Sequence, residues 1–221
     1  MKKVFLVAMV SLGVIITNAQ SEKYVSAMEK LVPAIDTLWN VDGLKELGNS
    51  FERIGDAEKT QWLPYYYAAL AHVNAGYAIA MAAGGTGSTM DKTDPEANKA
   101  KELLEKAEAL SKNNSEIFVV KKLLGTLFML GDPMNRYMTY GPAAAADLET
   151  AKKLNAENPR VYLEQGADLI NTPEQYGGNK AEGKKLIEES VTKFETFKPE
   201  SNIHPNWGRK LTKVYLAKAV E

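Results

Sequence analysis

The sequence has no cysteine and only two histidines among its 221 residues. A chain without thiols forms no disulfide, has no cysteine nucleophile and offers no thiolate ligand to a metal. His72 and His204 lie far apart, and neither belongs to a His-Glu-x-x-His motif of the kind that binds catalytic zinc. The Gly-x-Ser-x-Gly motif of serine hydrolases is absent as well. The sequence therefore predicts no catalytic residue and no metal site.

A strong charge of either sign is also lacking. The chain has 27 basic and 28 acidic residues, and its formal net charge is −1. Proteins that bind nucleic acid usually present a basic field, so we expect no nucleic-acid partner. A hydrophobic fraction of 45% is ordinary for a folded protein, and a chain of this length can bury a core without cross-links.

Long apolar runs are absent except at the N-terminus. Lys2 and Lys3 precede the apolar stretch Val4–Ile16, and Ala19 offers a small residue for cleavage. This pattern is typical of a secretory signal peptide and is too short for a transmembrane helix. The alternative is a retained anchor or a buried strand. We predict a signal peptide at residues 1–19 whose removal changes the formal charge from −1 to −3, and a periplasmic or secreted chain with no lipid anchor and no membrane insertion.

The remaining residues predict helices and no strand. Apolar residues recur at spacings of three and four, as on one face of an amphipathic helix. A clear stripe of this kind is formed by Leu44, Leu47, Phe51 and Ile54. The segment Trp62–Ala83 is apolar on all sides, which predicts a helix buried between neighbours. We predict an all-α fold in which residues 20–221 form one domain.

Prolines and glycines predict where the helices begin and end. Pro33 is expected to interrupt the first helix. Other prolines are expected in the first turn of a helix; these starts are Asp94-Pro95, Gly141-Pro142, Asn158-Pro159 and Pro205. Three stretches are predicted as connections; they are Gly84–Thr89, Pro133–Tyr140 and Thr172–Gly178.

The segment Ala151–Ile170 predicts the end of one helix, a tight turn and the start of the next. A weaker copy lies 44 residues upstream, and the matching positions agree in residue type or shape. The matched pairs are Ala107 with Ala151, Leu110 with Leu154, Asn114 with Asn158, Ile117 with Val161, and Phe118 with Tyr162. A helix junction repeated at fixed spacing predicts stacked helix pairs.

These residues resemble the tetratricopeptide repeat family. The pattern Ala151-x-x-Leu154-Asn155-x-x-Asn158-Pro159-x-Val161-Tyr162-x-x-x-Gly166 is similar to that family's junction between successive repeats, and Pro173-x-x-Tyr176-Gly177-Gly178 resembles divergent exported bacterial members. The resemblance implies antiparallel helix pairs stacked in a right-handed superhelix, and a role in holding other proteins rather than catalysis. The period of 44 residues exceeds the family's usual period of about 34.

In the family, the first helix of each pair lines the concave surface. The resemblance therefore implies a set of partner-binding residues there, which are Asn74, Lys121, Arg160, Glu164, Asp168, Trp207, Arg209 and Lys213. Glu164 and Asp168 lie one helical turn apart, and the alternative is a solvated polar face. For Trp207 the alternative is packing in the core.

The main functional prediction is a non-catalytic scaffold that binds another protein or peptide in the cell envelope, without cofactor or metal. The alternative is a small-ligand-binding accessory protein for solute uptake, in which four tyrosines enclose an apolar pocket. Those residues are Tyr65, Tyr66, Tyr67 and Tyr77. An enzyme is the third possibility, and its only candidate residues are Glu164, Asp168 and His72.

Overall fold

The computed structural model of the chain describes residues 21–84 and 87–219. Within those residues it contains nine α-helices and two short 3-10 segments, and it has no strand, which confirms the predicted all-α class. The helices are α1 (Glu22–Leu31), α2 (Val41–Glu58), α3 (Trp62–Ala82), α4 (Met90–Leu110), α5 (Ser115–Gly131), α6 (Pro133–Leu154), α7 (Pro159–Asn171), α8 (Lys180–Thr196) and α9 (Arg209–Lys218). The predicted signal peptide lies outside the described residues. No helix in the described ranges is long and apolar enough to cross a membrane.

Helices that follow one another in sequence pack together as pairs. The most extensive contacts join α2 to α3, α3 to α4, α5 to α6 and α7 to α8. Helix α3 lies between α2 and α4, and thirteen of its residues are buried. Its position confirms the prediction of a central helix that is apolar on all sides.

The repeated junction has the same structure in both copies. Asn114 and Asn158 are N-caps, and each side chain accepts a hydrogen bond from the backbone N–H two residues further on. Ala107 and Ala151 are fully buried, whereas Leu110 and Leu154 are 41% and 38% exposed. The 44-residue match in sequence therefore corresponds to equal positions in two successive helix pairs.

Helix α4 begins earlier than predicted. It starts at Met90 rather than at Asp94-Pro95, so Pro95 lies inside the helix. The additional turn is held against the end of α5, because the Thr89 N–H donates to the Gly131 carbonyl at 2.8 Å. Pro95 is the sixth residue of α4, so it costs the helix one backbone hydrogen bond, the one that an N–H at this position would donate to the Asp91 carbonyl.

Helix α6 also begins earlier, at Pro133, so the predicted connection Pro133–Tyr140 is helical. Arg136 forms two 2.7 Å hydrogen bonds with Asp94 of α4, and Tyr140 stacks on Phe128 of α5. These contacts fix the first turns of α6. Pro142 lies inside the helix, and the preceding residue is Gly141, which has no Cβ to clash with the proline ring.

Pro205 does not begin a helix, contrary to the prediction. Helix α9 starts at Arg209, after Gly208 with a φ of 104°. Residues 197–208 instead cross the array as irregular chain. Asn202 donates to Glu29 of α1 at 2.6 Å, and the Gly208 N–H donates to Asp36 at 3.3 Å. This segment joins the two ends of the fold and brings His204 beside α3.

Helices α7 and α8 pack closely against each other at two glycines, Gly166 and Gly183. A Cβ on Gly166 would lie 2.7 Å from Ile187 and 2.8 Å from the Gly183 carbonyl. We expect Gly166→Ala to destabilise the fold by about 1–3 kcal/mol, because overpacking outweighs the better helix propensity of alanine. Urea unfolding followed by circular dichroism measures the change. A variant more stable than the wild type would contradict the close packing of these helices.

Candidate functional site

The eight predicted partner-binding residues do not form one exposed surface. Arg160, Glu164 and Trp207 are buried, and Lys213 is exposed. The other four are half-buried, namely Asn74, Lys121, Asp168 and Arg209. Three of the eight side chains are therefore enclosed by the protein itself.

Arg160 lies at the centre of a buried polar layer. Its side chain is fully buried, and its guanidinium contacts Glu116 of α5 at 2.9 Å. The same group lies over the rings of Phe194, Phe197 and Trp207, at 5.0–5.6 Å from the ring centroids. Cation–π contacts of this kind strengthen when the charge is shielded from water. Arg160 therefore links α5, α7 and α8 to the irregular segment 197–208.

The layer continues towards α3 through Tyr66. Trp207 donates its indole N–H to the Tyr66 hydroxyl at 2.7 Å, and Tyr66 donates to Glu116 at 3.2 Å. Burial raises the pKa of Tyr66 well above its ordinary value, so the phenol remains a proton donor. Trp207 thus packs in the core, which was the alternative to a partner contact.

A second buried ion cluster lies one to two turns further along the same helices. The Lys122 ammonium contacts Glu164 at 2.9 Å and Asp168 at 2.8 Å. Burial alone would lower the pKa of Lys122, but the two carboxylates raise it, so the ammonium stays charged. Lys122 was not predicted as a site residue, since a lysine within an apolar helix gives no sequence signal of a buried partner.

The four tyrosines of the predicted pocket lie in the core or pack against it. Tyr65, Tyr66 and Tyr67 are buried, and Tyr67 stacks on Phe51 with 5.1 Å between ring centroids. Tyr77 is partly buried against the same core and donates its hydroxyl hydrogen to the Leu123 carbonyl at 2.7 Å. None of the four lines either of the two concavities described next, so the tyrosine pocket stays a prediction.

A cleft of about 400 Å³ lies where five helix ends meet, and we call it the His204 cleft. Its lining comprises Trp62, residues 111–116, Leu154, Asn155, residues 197–200, His204 and Pro205. A shallower depression of about 500 Å³ adjoins it along the end of α4 and shares Lys112 and Asn113 with it. Glu116 and Phe197 belong to both the cleft and the Arg160 layer, so the buried layer forms the floor of the cleft.

His204 is held in a defined position within this cleft. Its Nδ1 lies 2.8 Å from the Ser201 hydroxyl, and its ring packs edgewise against Trp62 at 6.2 Å. Nε2 lies 3.2 Å from the carboxylate of Glu200, whose side chain is 86% exposed. Burial lowers the pKa of His204 below its ordinary value of 6.5, although Glu200 opposes the change. The imidazole is therefore mostly neutral at pH 7, and both of its nitrogens have a polar neighbour within the cleft.

Two exposed cations stand at the rim of the cleft. Lys112 and Lys198 line it, and neither takes part in a salt bridge within the described ranges. Trp62, Phe197 and Pro199 supply apolar lining between them. The cleft thus combines an aromatic wall, one neutral imidazole and two lysines that are available to an acidic group.

A separate apolar stripe lies on the outer side of α6. Met134, Tyr137 and Met138 follow the helical spacing of three and four, and they are 93%, 49% and 80% exposed. Exposed apolar residues grouped on one face are typical of an interaction surface. The sequence did not predict this stripe, because its residues were expected to form a connection rather than a helix.

No family model matches the chain, and no characterised protein matches it in sequence. Membership of the tetratricopeptide repeat family therefore stays a prediction. Among solved structures, the chain is similar to the HusA haemophore from Porphyromonas gingivalis, with a TM-score of 0.76 and 27% sequence identity. The match covers 90% of this chain and 94% of that one. This similarity contradicts the predicted protein-binding scaffold and favours the alternative of a small-ligand-binding protein for uptake.

The buried layer predicts that the same substitution, glutamate to glutamine, lowers the free energy of unfolding by very different amounts at two positions. Glu116→Gln leaves Arg160 buried without a counter-charge, and we expect a loss of about 3–5 kcal/mol in the free energy of unfolding. Glu108→Gln removes the partly exposed partner of Lys121, and we expect a loss of less than about 1 kcal/mol. Urea unfolding of both variants checks this. Equal losses would show that the Arg160 layer contributes no more than a surface pair.

Proposed function

We propose that this protein binds haem, or a closely related tetrapyrrole, and acts as a carrier in its uptake. The similarity to a haemophore over nine-tenths of the chain is the observation that supports this function. Catalysis has no part in the proposal.

The His204 cleft has the chemistry that haem requires. The ligand is a flat apolar macrocycle with two propionates and an iron that takes axial ligands such as histidine. Trp62, Phe197 and Pro199 offer apolar and aromatic surface for the ring. Lys112 and Lys198 offer positive charge to the propionates.

The open form of the cleft also suits a carrier. Its walls are helix ends and irregular chain rather than a sealed core, and Leu154 and the two lysines are exposed to solvent. A ligand bound there can be received from one protein and passed to another without unfolding. We infer a transport role rather than permanent storage.

Titration with hemin tests the function directly. We expect a saturable change in the haem Soret absorption, quenching of tryptophan fluorescence because Trp62 lines the cleft, and a raised melting temperature. Serum albumin and a helical protein of similar charge serve as positive and negative controls. A melting temperature and spectra unchanged by hemin would rule out the function.

A double charge reversal tests whether the haem propionates bind at the His204 cleft. We expect Lys112→Glu with Lys198→Glu to weaken hemin binding about fivefold to thirtyfold, because the two exposed ion pairs contribute about 0.5–1 kcal/mol each. The matched control is Lys92→Glu with Lys180→Glu. These lysines are also exposed, and they lie in the first turns of α4 and α8, whose other ends border the cleft. Equal affinity for the two double variants would place the propionates elsewhere.

A further inference from the structure

We propose that the core of the protein contains an internal hydration site, in which ordered water bridges the guanidinium of Arg160 and the hydroxyls of Tyr24 and Tyr67. The three residues belong to α7, α1 and α3, and none of them lines the His204 cleft. The proposal concerns the interior of the fold and does not depend on the proposed function.

Buried polar atoms without a partner are concentrated at these three residues. In the described ranges, six buried side-chain nitrogen or oxygen atoms lack a hydrogen-bond partner, and four of the six are Nε and Nη2 of Arg160 and the hydroxyls of Tyr24 and Tyr67. All three residues are at most 1% exposed. Folded proteins leave few such atoms unsatisfied, because each loses its bonds to solvent and gains nothing in return. These four atoms therefore require a partner inside the fold.

Contacts around the guanidinium lead from Arg160 to Asp36. The ring of Trp207 lies 5.2 Å from the guanidinium, and the N–H of the next residue, Gly208, donates to Oδ1 of Asp36 at 3.3 Å. Burial raises the pKa of Asp36, whereas the Gly208 N–H and the charge of Arg160 oppose the rise. The carboxylate therefore lies close enough to Arg160 to interact with it, and it adds a hydrogen-bond acceptor to this part of the interior.

The two tyrosines lie within reach of the same charges. Tyr67 packs edgewise against Tyr66, with 5.1 Å between the ring centroids. Burial raises the pKa of Tyr67; the charge of Arg160 opposes the rise, while Asp36 and Tyr24 add to it. Groups that act on one another in this way are close in space, since electrostatic interactions weaken with distance. The unpaired atoms from α1, α3 and α7 thus lie in one region of the core.

The surrounding charges favour water over an anion. Arg160 already has a counter-charge in Glu116 at 2.9 Å, and the carboxylate of Asp36 is near it as well. A small anion at this place would be repelled by both carboxylates. Water is neutral, accepts from the guanidinium N–H groups and donates to phenol or carboxylate oxygens. An internal water makes about three hydrogen bonds, so about two molecules satisfy the four unpaired atoms.

The test counts long-lived internal water by oxygen-17 magnetic relaxation dispersion. We expect Tyr24→Phe with Tyr67→Phe to lower the dispersion amplitude by the contribution of about one or two water molecules, because the site loses two of its four polar atoms. Circular dichroism checks that the double variant keeps its helices. The matched control is Tyr137→Phe with Tyr176→Phe, at rings that are 49% and 66% exposed, and it should leave the amplitude unchanged.

The sign of the stability change gives a second readout. We expect Tyr67→Phe to lower the melting temperature by about 2–4 °C, because a hydroxyl bonded to internal water stabilises the fold as other hydrogen-bonded groups do. Removing a hydroxyl that is buried without any partner has the opposite effect, since it relieves a desolvation cost. Tyr66→Phe is the comparison. That hydroxyl bonds to Trp207 and Glu116, so its removal should lower the melting temperature at least as much.

A lower dispersion amplitude in the double variant, together with a lower melting temperature in Tyr67→Phe, supports the hydration site. An amplitude equal to that of the wild type rejects the site, whatever the melting temperatures are. A raised melting temperature in Tyr67→Phe also rejects it, because the hydroxyl is then unsatisfied in a dry core. If chloride at constant ionic strength raises the melting temperature of the wild type more than that of the double variant, the occupant is an anion and the assignment of water is wrong.

Discussion

A buried positive charge, the guanidinium of Arg160, holds the parts of this fold together. Removing such a group from water costs several kcal/mol unless it is paired and surrounded by favourable contacts. Glu116 supplies the counter-charge, and three aromatic rings supply their faces. Helix α5, helix α8 and the segment 197–208 must all be in place for this compensation. The floor of the His204 cleft is the outer side of the same arrangement.

The 44-residue repeat places the partners of this layer next to one another. Successive first helices of the pairs, α5, α7 and α9, are joined by contacts between residues one repeat apart. Glu116 contacts Arg160, and Asn171 donates to Tyr215, each pair being 44 residues apart. Lys122 contacts Glu164 at nearly the same separation. The regular spacing of the sequence is thus converted into rows of polar contacts across the array.

Much of the fold could be predicted from the sequence because it depends on local rules. Helical periodicity and the break near Pro33 are both encoded within a few residues. The helix starts predicted at Pro95, Pro142 and Pro205 were wrong, because distant contacts decide whether a helix continues at these prolines. Arg160 and Glu164 were expected to face a partner, because a polar residue gives no local indication that an opposite charge will enclose it.

The cleft could not be predicted for a related reason. Its lining comes from five separate regions of the chain, and none of them has a motif. His204 was merely a lone histidine before a proline, and the importance of Ser201 and Trp62 follows only from their positions in space. The tyrosine cluster, by contrast, is easy to see in the sequence, but its burial in the core is not.

The closing segment has a consequence for the order in which the protein is built. Residues 197–208 contact α1 and the 3-10 segment after it, with sequence separations of 173 and 172 residues. Pairings so distant are slow to form, since a long loop must close before any contact compensates for the lost entropy. A chain that emerges N-terminus first therefore assembles its helix pairs one after another while the His204 cleft is still incomplete. The cleft is completed last, when residues 197–208 pack against α1 and the 3-10 segment.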